Sequence, residues 1–291
     1  MRNKIITLLL IALLSGFFWN QKMFGQPIGS DQMFYDSVAQ NLLSGKGFVY
    51  NGQEASIEPL YPLFLAGIYG VFGHNYDAVR IIQIVFFALT AVLTYLLAEK
   101  IFNKKIAVWS SLIVALFYGL ANQAGNILTE TLFIFLIVLF AYIIYTAYWR
   151  DKIFWYALSG FVLGLATLTK GIIQFLPIFI IANIFIFYYG KLPIKKIILT
   201  AGIFIAGFLL VVIPWVARNR LTNIGAAIAP RIGIVFMARA EWMELLYPGY
   251  PAHFIGHLFG YYFAQKINPL VSSAVFRDDV NVLKRYNKLV D

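Results

Sequence analysis

The sequence predicts an all-α polytopic membrane protein, and three observations carry that reading. Of the 291 residues, 61% are hydrophobic and only 12% are charged, about half the charged share of a soluble domain. The apolar residues gather into runs long enough to cross a bilayer. The cations fall in short clusters between alternate runs, which is how a membrane protein sets its orientation. A water-soluble globule is therefore excluded, and so is a disordered chain, which needs far less apolar side chain.

A helix needs about 20 apolar residues to cross the hydrocarbon core. The first run, 5–19, follows Met1-Arg2-Asn3-Lys4 and has the basic start and short apolar core of a signal peptide. NQKMFGQ comes next, without a small-x-small cleavage site, so the run reads as an uncleaved anchor with a cytoplasmic start. Runs at 81–98, 106–121, 127–148, 154–168, 172–189 and 197–217 complete an expectation of about seven spans. Lys100, Lys104 and Lys105 follow one run, Arg150 and Lys152 another, and Lys191, Lys195 and Lys196 a third. With Arg2 and Lys4 they form the basic, cytoplasmic face of a plasma-membrane protein. The remaining connections then face outward.

Residues 59–73 are apolar but short, and Pro59, Pro62, Gly67 and Gly70 interrupt them. Counting them as a span would turn the later lysine clusters outward, so they are assigned to the interface. The first outer loop accordingly runs from about 20 to 79, long enough to suggest a functional role. Inside it, residues 31–44 have helical spacing, with Phe34, Val38 and Leu42 on one face and Asp36, Gln40 and Ser44 on another. Such an amphipathic helix is expected to lie flat on the bilayer. After residue 217 the composition changes. Residues 218–252 are mixed, and 253–276 form a weaker apolar run, either an eighth span or an interfacial helix. The organisation is thus a transmembrane module, 1–217, and an outer segment, 218–291.

No cysteine is present, which removes disulfides, thiol nucleophiles and thiolate metal sites. His74, His253 and His257 form no compact metal motif. The net charge of +10 does not imply nucleic acid, because the cations belong to the span boundaries and no aromatic-basic surface lies outside the apolar runs. There is no Walker A loop and no HExxH.

Polar groups beside lipid are costly, so those at the outer ends of spans carry the information. Asp31, in GSDQMFY, can act as a general base over the outer surface. It can equally cap a helix N-terminus, and side-chain chemistry alone favours the cap. Glu58, in IEPLYPLF, can orient a hydroxyl or a cation, or simply precede a helix that Pro59 starts. Glu130, in ILTETLF, is either a second reactive carboxylate or a first-turn acid behind Thr129 as N-cap. Lys170, in LTKGII, can hold a phosphate as a point charge or snorkel from a helix end closed by Gly171. It runs against the positive-inside trend, which tilts the reading toward function. Arg80, in YDAVRII, and Arg218 and Arg220, in PWVARNR, are further outer-edge cations.

Taken in order, SDQMFYDSVAQNLLSGKGF, EPLYPLFLAGIYGVFG, AVR, TETLFIFL, GLATLTKG and PWVARNR resemble the GT-C class of polytopic glycosyltransferases. The family is the one that contains bacterial lipid A aminoarabinose transferases and protein O-mannosyltransferases. The resemblance covers about residues 1–220. It implies an outward-facing site that moves a sugar from a polyprenyl-phosphate donor to an envelope acceptor (lipid, polysaccharide or protein), with inversion at the anomeric carbon. Asp31 matches the catalytic acid of the first outer loop, and Glu130 the second acidic position. Lys170 matches the lysine near the donor phosphate, with Arg80 and Arg218 as further phosphate contacts. Tyr35, Glu58 and Tyr61 match positions lining the substrate cavity. No cofactor is required by this chemistry, and a divalent cation is compatible with it.

Two departures stand out. Many relatives carry Asp-Glu where this chain has Asp31-Gln32, and some carry Lys where it has Glu58. Relatives also continue with further spans, so a fragment, a short member, a remnant without activity and half of a split enzyme with a complementary chain all stay open. A transporter or lipid flippase is the competing class. It would place charges at mid-depth, whereas here they gather at the outer ends of nearly charge-free spans.

Overall fold

A bilayer offers no partner for backbone N–H and C=O groups, so the apolar runs must satisfy themselves as helices. A computed structural model of the chain describes residues 2–29, 31–150, 152–222, 224 and 227–228. The chain divides into two compact units, Met1–Ile213 and Pro214–Asp291. Among the described residues, five helices are long and apolar enough to cross a membrane: Asn3–Asn20, Tyr76–Ile101, Glu130–Arg150, Gly171–Tyr188 and Ile194–Leu221. The protein is thus an all-α polytopic membrane protein. The run 253–276 lies outside the described residues.

The first unit begins with α1 (Arg2–Asn20) and α2 (Asp31–Leu43) and continues with α3 (Leu60–Phe72) and α4 (Tyr76–Ile101). Next come α5 (Lys104–Leu116), α6 (Tyr118–Gln123), α7 (Glu130–Arg150) and α8 (Ile153–Thr169). A 3-10 turn at Gly171–Ile173 leads into α9 (Leu176–Tyr188), and α10 (Ile194–Leu221) passes through Pro214. The run expected at 106–121 is not one helix. Phe117 is extended (φ −70°, ψ 109°) and divides it into α5 and the single-turn α6. With 13 residues, α5 is about 20 Å long at 1.5 Å per residue, less than a hydrocarbon core of ~30 Å. The same arithmetic confines α3, also 13 residues, to less than a full crossing, as its prolines and glycines led us to expect.

The helices alternate in direction. At one end of the bundle the Asn20 Nδ2 donates to the Ala121 carbonyl at 2.7 Å, joining the end of α1 to α6. At the other, the Tyr145 hydroxyl donates to the Lys100 carbonyl at 2.8 Å and the Lys100 Nζ to the Thr146 hydroxyl at 3.1 Å. Between the ends, small side chains let backbones approach, as membrane packing favours. Ala12, Ala88, Ala91, Ala115, Ala121 and Ala124 pack with Ile84 and Phe87. Helices α8 and α10 approach closely. A Cβ at Gly160 would fall on the Phe204 carbonyl, and one at Gly207 on the Ala157 carbonyl.

The segment between α1 and α4 holds α2, α3 and a β-hairpin, β1 (Val49–Tyr50) with β2 (Gln53–Glu54). The hairpin was not anticipated, although its turn is legible. Asn51 and Gly52 both have positive φ (49° and 76°), the requirement of the two-residue turn that matches strand twist. Phe34, Val38 and Leu42 do share a face, but it packs against Tyr50, Ala55 and Ile57. Protein covers the face that was expected to meet lipid. Asp36, assigned to the solvent face, is buried instead.

Candidate active site

Lys170 ends α8. Its N–H still bonds the Ala166 carbonyl at 3.0 Å, and its extended backbone (φ −152°, ψ 106°) turns the chain into the 3-10 segment. The Thr167 and Thr169 hydroxyls fold back onto the carbonyls of Leu163 and Leu165. They satisfy themselves and leave the ammonium as the group that reaches outward. The Lys170 Nζ meets the Glu130 Oε1 at 2.8 Å, with the two side chains 40% and 33% exposed.

Glu130 opens α7, where unpaired N–H groups and the helix dipole favour a carboxylate. Thr129, expected as its cap, sets its hydroxyl 3.4 Å from Glu130 Oε2. Glu58 arrives from a third direction, just before the Pro59 that starts α3. Its Oε1 accepts the Gly171 N–H at 3.0 Å, directly beyond Lys170. Glu130 is therefore paired with Lys170 itself, and Glu58 with the backbone one residue further on.

Below them lies a buried polar chain. The Tyr61 hydroxyl donates to the Gln83 Oε1 at 2.9 Å. The Gln83 Nε2 donates to the carbonyls of Ala124 (3.1 Å) and Asn126 (2.7 Å). The Tyr61 ring meets Tyr35 edge to face, 5.2 Å between centroids. Burial is the main reason its phenol is held well above the usual tyrosine range, with smaller contributions from Tyr69, Tyr35 and Glu130. Gln83, inside an apolar span, was missed by sequence reasoning. A lone amide in such a run is itself the signal, since it must find partners.

Arg80 is buried, at 2% exposure, and its donors face protein acceptors. Nη1 meets Asp77 Oδ1 at 2.7 Å, Nη2 the Gln26 carbonyl at 2.9 Å, and Nε the Gly125 carbonyl at 3.3 Å. Both Asp77 oxygens also accept the Gly25 N–H, each at 3.1 Å. The first turns of α4 thus grip both the segment leading to Asp31 and the loop leading to Glu130. Arg80, expected as a phosphate contact, is thus bonded to protein acceptors on both of these segments.

Asp31 stands exposed in the first turn of α2. Among the described residues it makes no hydrogen bond or ion pair to Glu130 or Lys170. Its neighbour Gln32 supplies the link, accepting the Ile127 N–H at 3.1 Å. Arg218 belongs to the second unit, where it lies beside the Trp215 ring and bonds Asn219 Oδ1 at 3.1 Å.

A second cluster was not foreseen. Buried Asp36 accepts from Tyr69 (2.8 Å) and His74 (2.8 Å) at Oδ1 and from Gln40 (2.7 Å) and Tyr76 (3.3 Å) at Oδ2. Burial first, then the bond to Asp36, raises the Tyr69 phenol well above its ordinary value. The available signal was the donor-rich stretch YGVFGHNY at the turn between α3 and α4. Among the described residues no three His, Asp or Glu side chains converge as a metal site.

The chain is thus a polytopic membrane protein whose apolar bundle carries a paired acid and lysine at one end. The family model described as dolichyl-phosphate-mannose-protein mannosyltransferase matches residues 56–217. The chain belongs to that family, and the match includes Glu58, Tyr61, Arg80, Glu130 and Lys170. An uncharacterized protein of Aquifex aeolicus (strain VF5) is 32% identical over 172 residues, which are 58% of this chain. The chain spans about a third (34%) of that relative's length.

Proposed function

We propose that this chain is a membrane glycosyltransferase module. It takes a sugar from a polyprenyl-phosphate donor and passes it to an envelope acceptor at the extracytoplasmic face of the plasma membrane, with inversion. The observation that carries the reading is the pairing of Glu130 with Lys170, with Glu58 bonded to the adjoining Gly171 N–H, from three separate segments of the matched region.

Each group has a chemical task. The prenyl tail lies among apolar helix faces, and its phosphate sits at the interface beside Lys170. The acceptor oxygen attacks the anomeric carbon from the side opposite the phosphate, which inverts that centre. Its proton passes to Asp31 as the new C–O bond forms. The old C–O bond breaks with its electron pair going to the phosphate oxygen, and the Lys170 ammonium stabilises that charge. Glu130 shares the site as the second carboxylate. Glu58 fixes the turn behind Lys170, while Tyr35 and Tyr61 form the aromatic floor. Arg80 holds the two approaches in register.

The test is transfer of labelled sugar from a polyprenyl-phosphate donor by the full chain in lipid nanodiscs. Asp31→Asn is expected to lower transfer at least about a hundredfold, the usual scale for losing a general base, with expression and insertion unchanged. Full activity in that variant removes Asp31 from its role. Movement of the intact labelled lipid across vesicles, without transfer, makes the chain a transporter instead.

A further inference from the structure

In the resting structure the cation assigned to the donor is already occupied. The Lys170 Nζ lies 2.8 Å from a Glu130 oxygen. A lysine ammonium is a compact charge, and a phosphate oxygen approaching it competes with that carboxylate. We propose that the Glu130–Lys170 pair is a latch opened by the donor phosphate, so that the donor binds before the acceptor. This rests on the transferase reading and assigns an order of events to the same site.

Three features suit a latch. The pair is reachable, since both side chains are part-exposed. The backbone beneath Lys170 is fixed on both sides, by its own N–H to Ala166 and by the Gly171 N–H to Glu58. Opening therefore needs only side-chain movement. Glu130, once released, is not stranded. It sits in the first turn of α7, where the dipole supports a carboxylate, and the Thr129 hydroxyl is already 3.4 Å from its second oxygen. While the latch is closed, the Lys170 ammonium draws on the charge of Glu130 Oε1 and weakens it as an acceptor for a hydroxyl. When phosphate claims Lys170, that oxygen becomes the stronger acceptor.

The experiment measures binding of a polyprenyl monophosphate, without sugar, to the full chain in nanodiscs of uncharged lipid. Glu130→Gln keeps the shape but removes the competing charge. It is expected to tighten binding about two- to fivefold, the effect of losing a part-exposed ion pair. Lys170→Gln is expected to weaken binding, and the double variant to match it, because Glu130 acts only through Lys170. Glu130→Asp, which keeps the charge at shorter reach, is expected to show a smaller gain and serves if the glutamine variant does not insert. Unchanged or weaker binding in an inserted Glu130 variant overturns the latch and leaves the transferase reading in place. Failure of the wild-type chain to bind the prenyl phosphate overturns both.

Discussion

The Gln32 Oε1 accepts the backbone N–H of Ile127 at 3.1 Å, which fastens the residue after Asp31 to the loop that ends in Glu130. Ile127 is fully buried, so its N–H has no easy recourse to water. Gln32→Leu is expected to cost about 1–3 kcal/mol, the desolvation of an unpaired buried donor. Gln32→Glu, which restores the Asp-Glu pair of many GT-C enzymes, keeps an acceptor and should retain most of the stability. Thermal melts of the two variants in the same detergent decide it.

Tyr61 and Gln83 should behave as one unit. Tyr61→Phe leaves Gln83 Oε1 without its donor, and Gln83→Leu leaves a buried phenol and the Ala124 carbonyl unpaired, while the Asn126 carbonyl keeps the Leu128 N–H. Each single change is expected to cost about 1–3 kcal/mol. The double change should cost less than the sum by about 1 kcal/mol, the scale for contacting residues in one network. Strict additivity would show that the two groups act separately.

Asp36 is expected to hold the turn between α3 and α4 against α2. Asp36→Leu removes the acceptor of four donors and should destabilise by about 2–3 kcal/mol. Exchange of backbone amides should rise first at residues 73–76. Uniform loss of protection across the chain would contradict a local role.

The Tyr69 phenol is raised in the folded state, so its contribution to stability is fully present below the unfolded value of about 10 and fades only as pH climbs through the higher folded value. Phenolate absorbance of the folded chain and of its Tyr69→Phe variant should therefore coincide up to about pH 10. A difference appearing at lower pH would mean that Tyr69 ionises freely.

The crossing of α8 and α10 offers a paired test. Gly160→Ala sets a methyl on the Phe204 carbonyl, and backbone cannot rotate away, so a loss of about 1–3 kcal/mol is expected. Gly202, on the same helix as Phe204, has open space where its Cβ would stand. Gly202→Ala should be neutral or gain up to about 1 kcal/mol from helix propensity. Equal effects at the two positions would refute the close approach.

What the sequence disclosed and what it withheld follow from the range of the interactions involved. Glu58, Glu130 and Lys170 were legible because each is an ion beside lipid, a local anomaly that needs no knowledge of the fold. The helices from Tyr76 and Glu130 were legible as long apolar runs. Asp36 was misplaced because helical spacing reports only its own element, whereas Tyr69, His74 and Tyr76 reach it from others. The break at Phe117 carries no proline or glycine at the break itself, so hydropathy ran through it. Arg80 read as an outer-edge cation. Its burial depends on carbonyls of Gln26 and Gly125, which no motif announces.

The Asn51-Gly52 hairpin tip has a use of its own. It is exposed, as are Lys46 and Gln53 on either side of it, and the sequence has no cysteine. A thiol introduced at Gln53 would be the sole one in the molecule. Its reaction with a maleimide that cannot permeate intact cells would report directly on which compartment the loop inhabits.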